Sequence, residues 1–188
     1  MIFKAPKLVL FFLILTNFIF PQQNQPQHSK KVVGYFAQWA MYDRDYNVLD
    51  IEADKLTHLM YAFYDTKFDE STDVVTLLSL DEWADFGHNE SAMHPYVSEL
   101  FPSAEPVKGN FGDLLILKDQ YPHLKILISL GGWTRSQAFP AIAASEDGRA
   151  SLALEMVKFL NTYPWFAGFD IDWEFPVEGG IDGTEKIQ

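Results

Sequence analysis

A chain of 188 residues, 48% hydrophobic and 15% aromatic, is long enough to bury one sizeable core. Its formal net charge of −12 makes nucleic acid and anionic membrane poor partners. It has no cysteine, which excludes disulfides, thiolate catalysis and cysteine-held zinc. The histidines (His28, His58, His88, His94 and His123) show no metal-ligand spacing, so neither a metal nor another cofactor is expected.

In chain order, Lys4 and Lys7 precede an apolar run from Leu8 to Phe20 that is broken only by Thr16 and Asn17. The run is shorter than the ~20 apolar residues a spanning helix needs. Residues 1–20 are therefore expected to be a secretory signal or a short membrane anchor, and the product to be secreted. Residues 21–29, rich in Gln and Pro, read as a linker that cannot form a core. Strands are predicted at Lys31–Ala37, Leu56–Tyr64, Lys125–Leu130 and Phe166–Trp173. The second and third are nearly continuous apolar runs, as in parallel strands covered on both faces. His58, inside the second, is expected to be a hydrogen-bonded core histidine, and the other histidines to lie on loops or the surface. Helices are predicted at Phe111–Gln120 and Ser145–Asn161, the latter capped by Ser145 and carrying Leu152, Met156, Phe159 and Leu160 at helical spacing. Strands alternating with helices predict βαβ units and a parallel sheet. Between Thr66 and Lys108 the sequence reads as a long acidic excursion. It is expected either to contribute to a substrate cleft or to be a solvated insertion without ligand contact.

The most informative segment is Phe166–Pro176. Asp170, Asp172 and Glu174 alternate with Phe169, Ile171 and Trp173, so a strand puts the acids on one face and the apolar side chains on the other. Two arrangements fit. One is a solvated acidic strand. The other is a barrel strand whose apolar face packs under helices while the acids rise inside toward the mouth. Carboxylates crowded there cannot all ionise at their ordinary pKa, which prepares a proton donor.

Gly168-Phe169-Asp170-Ile171-Asp172-Trp173-Glu174 resembles the DGxDxDWE signature of glycoside hydrolase family 18, the chitinases. Three further segments resemble family strands: Lys125–Trp133 the SxGG strand, Lys31–Trp39 the first, and Leu56–Phe63 the second. Lys108–Gly112 is similar to the segment before a helix in bacterial chitinase A-type enzymes. The likeness runs from about Lys30 to the end, in order and with matching spacing. One departure is Ala167, where the family usually has an aspartate.

The resemblance implies an α/β fold, a (β/α)8 TIM barrel of which about the first four βα units are present, with residues 30–188 as a partial catalytic domain. It implies hydrolysis of chitin or chitooligosaccharides by a retaining, substrate-assisted mechanism. Glu174 would be the acid/base, its protonated form favoured by neighbouring acids. Asp172 would hold the acetamido N–H, and Asp170 would share a proton with Asp172, supported by Ser129 and Tyr35. Tyr35 and Phe63 would line the cleavage subsite, Trp39 the non-reducing side and Trp133 the leaving-group side, while Trp173 would point outward toward the helices. A chitin-binding lectin, an endo-β-N-acetylglucosaminidase and a non-functional truncated product are the alternatives. The 188 residues alone are expected to be poorly folded and inactive.

Overall fold

The computed structural model describes residues 30–88 and 98–181. The expected signal and linker lie outside them, as do His28 and His94. The parallel sheet follows from the apolar runs: β1 (Val33–Ala37), β2 (His58–Asp69), β4 (Lys125–Gly131) and β5 (Phe166–Asp172) lie in the order β1-β2-β4-β5. All three contacts along that path are parallel. The helices α1 (Gly109–Gln120), α2 (Phe139–Ala144) and α3 (Glu146–Thr162) return the chain between strands. The chain is thus α/β, a parallel sheet of βα units.

The core lies between one face of this sheet and the helices. Phe36, Leu59, Tyr61, Ile126, Ile128 and Leu130 meet Phe111, Leu114 and Leu117 of α1. Phe111 is fully buried, with ring contacts to Tyr61, Phe86 and Phe166 at 5.8, 4.8 and 5.0 Å. Burying a phenylalanine stabilises by about 2–3 kcal/mol, and a Phe111→Ala cavity here costs about 3–5 kcal/mol. Helix α3 begins as its sequence predicts: the Ser145 hydroxyl accepts from Gly148 N–H at 3.0 Å.

The excursion after β2 is not the plain loop that its acids suggest. Strand β2 continues to Asp69 and turns into the antiparallel β3 (Val74–Ser79). The turn is made by Asp69, whose Oδ1 accepts from Ser71 N–H and hydroxyl at 3.0 and 2.6 Å. A single wide helical turn, Trp83–Gly87, then folds back on α1. It carries Asp85, which is wholly buried and accepts from Gln38 Nε2 (2.7 Å), Ser79 Oγ (2.5 Å) and the Tyr61 hydroxyl. Asn110 Nδ2 of α1 donates to the same tyrosine oxygen at 2.8 Å. The solvated-insertion expectation therefore fails for Asp85. Its donors outweigh exposure because they arrive together from β2, from β3 and from Gln38 on the turn that follows β1.

Smaller corrections concern ends and histidines. Strand β1 starts at Val33 and β2 at His58; β5 stops at Asp172, before Trp173. Helix α2, which the sequence reading missed, is short and carries Pro140 in its first turn. His58 is half-buried beside the Thr57 hydroxyl (2.8 Å) rather than in the core, and burial lowers its proton affinity. His88 and His123 lie on loops as expected, half-buried and held by Asn110 Oδ1 at 3.0 Å and Leu56 O at 3.1 Å.

Candidate active site

The register decides which side chains meet. Ser129 is level with Asp170, and Ala62 is level with Ser129. Two residues on, Gly131 is level with Asp172. Small neighbours at these levels leave room for the carboxyls of β5. Because β4 turns Ile126, Ile128 and Leu130 to the helices, alternation sends Ser129 to the other face. There its hydroxyl donates to Asp170 Oδ2 at 2.8 Å. Tyr35 of β1 donates its hydroxyl to the same oxygen at 3.0 Å. Strands at the two ends of the sheet are thereby tied through one carboxylate.

Asp172, the next acid up the strand, holds its proton more tightly than a free carboxylate. Burial is the largest cause, followed by the charges of Glu174 and Asp170. Tyr35 is pushed up to about 12 by the partial burial of its hydroxyl, its bond to Asp170 and the charges of Asp170 and Asp172. Glu174 and Asp170 thus act on Asp172, and Asp170 and Asp172 on Tyr35. On the opposite face Phe169 and Trp173 pack against helices, while Ile171 between them stays 47% exposed. Phe169 meets Phe159 of α3 at 5.3 Å, and Trp173 meets Phe139 of α2 at 5.9 Å. The outward direction expected for Trp173 is what the structure shows.

Two glycines after Ser129 are required by geometry. A Cβ on Gly131, at φ +100°, would lie 2.5 Å from the Asp172 carbonyl oxygen. One on Gly132, at φ +84°, would press on the Phe63 ring at 3.2 Å. Phe63 in turn stacks on Trp39, with centroids 6.3 Å apart and planes at 27°. Trp39 and Trp133 are each about half exposed, 51% and 52%, and Trp133 meets Phe175 edge-on at 6.4 Å. The peptide bonds Ala62–Phe63 and Glu174–Phe175 are cis. Among the described residues, no group of three or more His, Asp or Glu side chains is arranged to hold a metal.

A model of the glycosyl hydrolases family 18 matches residues 31–186. The chain belongs to this family. It is 52% identical over 180 residues to chitinase ChiA of Flavobacterium johnsoniae, covering 94% of this chain and 11% of that one. With chitinase A1 of Niallia circulans it shares 34% identity over 209 residues, covering 98% of this chain and 29% of the relative. Among solved structures, a chitinase from Bacillus thuringiensis superposes with a TM-score of 0.67 at 36% identity, covering 83% of this chain and 29% of that one. The chain therefore spans between 11% and 29% of these relatives, and its four parallel strands are part of a TIM barrel of the family 18 type.

Within this family 18 sheet, Tyr35, Ser129, Asp170 and Asp172 form one connected group, with Glu174 just beyond the end of β5. Trp39 and Phe63 form a second, aromatic group, and Trp133 lies after β4. Ala167, the departure from the family pattern, falls at the register shift of β5, where Ile126 pairs with Phe166 but Leu127 pairs with Gly168. It is the exposed extra residue of a bulge, and the acids above it keep their register. The sequence reading missed Ser136, buried behind Glu174, and the Arg135–Asp65 ion pair at 3.4 Å. It also missed Tyr42 and Trp83, two exposed rings stacked at 6.0 Å. Tyr42 sits three residues after Trp39 on one 3₁₀ turn, where such residues eclipse. That spacing is the signal from which it was recoverable.

Proposed function

We propose that the barrel to which this chain contributes hydrolyses the β-1,4 links between N-acetylglucosamine units of chitin, outside the cell, with retention at the anomeric carbon. The observation that carries the reading is the acid row. Asp172 is held toward its protonated form by burial, Glu174 and Asp170, while Asp170 is fixed from β1 and β4. In this reading Glu174 protonates the leaving glycosidic oxygen. The sugar's own acetamido oxygen attacks the anomeric carbon as that bond breaks, giving a cyclic oxazolinium ion. Asp172 accepts a hydrogen bond from the acetamido N–H and balances the positive charge that develops there. The Glu174 carboxylate then takes a proton from water, which opens the ring and restores the acid. Tyr35, Phe63, Trp39 and Trp133 cover apolar faces of successive sugar rings.

The test is Glu174→Gln in the complete domain, assayed on chitooligosaccharides. Turnover is expected to fall by roughly 10²-fold or more while oligomer binding persists. In the unmutated enzyme, proton NMR is expected to show the β-anomer as first product. Near-normal turnover in the variant, or an initial α-anomer, defeats the reading. Strands β1 and β5 are open edges among the described residues, so the 188 residues alone are expected to release no product from a chitotriose substrate.

A further inference from the structure

The β4–β5 ladder ends at the pair Gly131 and Asp172, so Glu174 lies two residues beyond the last register position that regular pairing fixes. Something else must set the position of its backbone. The Glu174 N–H donates to the Ser136 hydroxyl oxygen at 3.1 Å. Ser136 is wholly buried. The same hydroxyl lies 2.9 Å from the Gly132 carbonyl oxygen and 3.1 Å from that of Asp172. A hydroxyl has one proton to give and lone pairs to receive. The proton is therefore shared between two carbonyls while a lone pair takes the Glu174 amide. The Asp172 carbonyl also accepts from Gly132 N–H at 2.7 Å. One side chain thus bridges the main chain on both sides of Trp173, at the two residues given chemical roles above. Ser136 is itself fixed, since its carbonyl accepts from Phe139 N–H (3.2 Å) at the start of α2, and Phe139 packs on Trp173.

We propose that Ser136 is a positioning residue for the acid/base: its buried hydroxyl replaces the missing ladder at the strand end and fixes where Glu174 stands relative to Asp172. The inference rests on the reading of Glu174 as the proton donor. Ser136 touches no substrate and acts only through the backbone of Asp172 and Glu174. A small displacement of a proton donor lowers the rate of bond breaking without weakening the aromatic contacts that bind sugar. Its loss therefore lowers kcat and leaves KM in place.

The test compares five forms of the complete domain on a soluble chitooligosaccharide: Ser136→Ala, Ser136→Thr, Ser136→Cys, Glu174→Gln and a control, Ser151→Ala. Ser151 makes a similar bond away from the site, its hydroxyl accepting from Val75 N–H at 2.9 Å. Ser136→Ala is expected to lose kcat by roughly 10- to 100-fold at unchanged KM. Ser136→Thr keeps the hydroxyl and is expected to recover most of the turnover. Ser136→Cys keeps the size with a weaker donor and falls between; it carries the test if the alanine variant does not fold. Ser151→Ala is expected to lower the melting temperature and leave kcat alone. Wild-type kcat in the alanine and cysteine variants, or a loss of melting temperature alone as in the control, overturns the proposal. Wild-type turnover in Glu174→Gln overturns the acid/base reading instead, so the two failures are told apart.

Discussion

Asp85 and Asp172 both hold a proton more tightly than a carboxylate in water, and at each the largest cause is burial. Their surroundings otherwise differ in kind. Around Asp85, hydrogen bonds from Ser79, Tyr61, Gln38 and Tyr64 pull the other way and favour the charged form. Around Asp172, the further contributions are like charges, Glu174 and Asp170, which add to the effect of burial. A carboxyl surrounded by donors is a clamp: it gathers β2, β3, the turn after β1 and the Trp83–Gly87 turn at one point. A carboxyl beside other acids meets like charges where Asp85 meets donors, and in the function proposed above a substrate N–H is the donor that Asp172 would receive. The same sign of shift thus marks a structural acid in one place and a candidate reactive one in the other.

The comparison breaks most visibly at Asp172. Asp172→Asn preserves shape but removes the charge that would balance an oxazolinium ion, so turnover of the complete domain is expected to fall by roughly 10²-fold. Stability is expected to hold or rise, because one member of a crowded acid row is neutralised. Steady-state kinetics beside a thermal melt reads both. A variant that loses stability with its rate unchanged would reverse the roles argued for the two acids.

Asp85→Ala should do the converse. It strands the buried donors of Gln38, Ser79 and Tyr61, at a cost of about 2–4 kcal/mol, with activity per folded molecule affected far less. Urea unfolding gives the first quantity and the rate normalised to folded protein the second. Equal urea midpoints for the variant and the parent would mean that the buried network holds nothing together.

The two acids also differ in how far they could be read from sequence. The alternation Asp170, Asp172, Glu174 against Phe169, Ile171, Trp173 puts the acids on one face by local geometry alone; β5 carries that pattern as far as Asp172, and Glu174 lies beyond its end. The apolar runs of β2 and β4 and the Ser145 cap are local in the same sense, which is why the parallel sheet and α3 were legible. Asp85 is not local. Its burial depends on donors 47, 24 and 6 residues away in the chain, and the acids flanking it, Asp81 and Glu82, argue for solvent. The hairpin was hidden for a related reason. Val74–Ser79 reads as a strand only once it is seen that β2 continues past Tyr64 to pair with it. Ser136 belongs to the same class: nothing in Trp133-Thr134-Arg135-Ser136 announces that its hydroxyl meets a backbone amide 38 residues away.

The smallest expected effect is the one that separates burial from hydrogen bonding at Asp85. Its folded-state proton affinity is raised, so burial outweighs the donors that oppose it. An unfolded aspartate titrates near pH ~4. Between that pH and the raised folded value, the folded protein keeps a proton that the unfolded chain has released. The corresponding stability is complete below the unfolded pKa and is lost as pH rises through the folded one. Asp85→Asn cannot titrate. Its amide still offers an oxygen to Gln38 and Tyr61, and its NH₂ can donate to the Ser79 hydroxyl oxygen. Asp172 is raised as well and contributes a slope of the same sign, but it does so in both proteins and cancels in their difference. Urea midpoints of parent and Asp85→Asn, measured from about pH 4 to pH 7, are therefore expected to diverge in the variant's favour as pH rises, then run parallel once Asp85 is ionised. Curves parallel from the start would show that the donors from Gln38, Ser79, Tyr61 and Tyr64 fully offset the cost of burying the charge, and that Asp85 is a clamp whose proton has no part in stability.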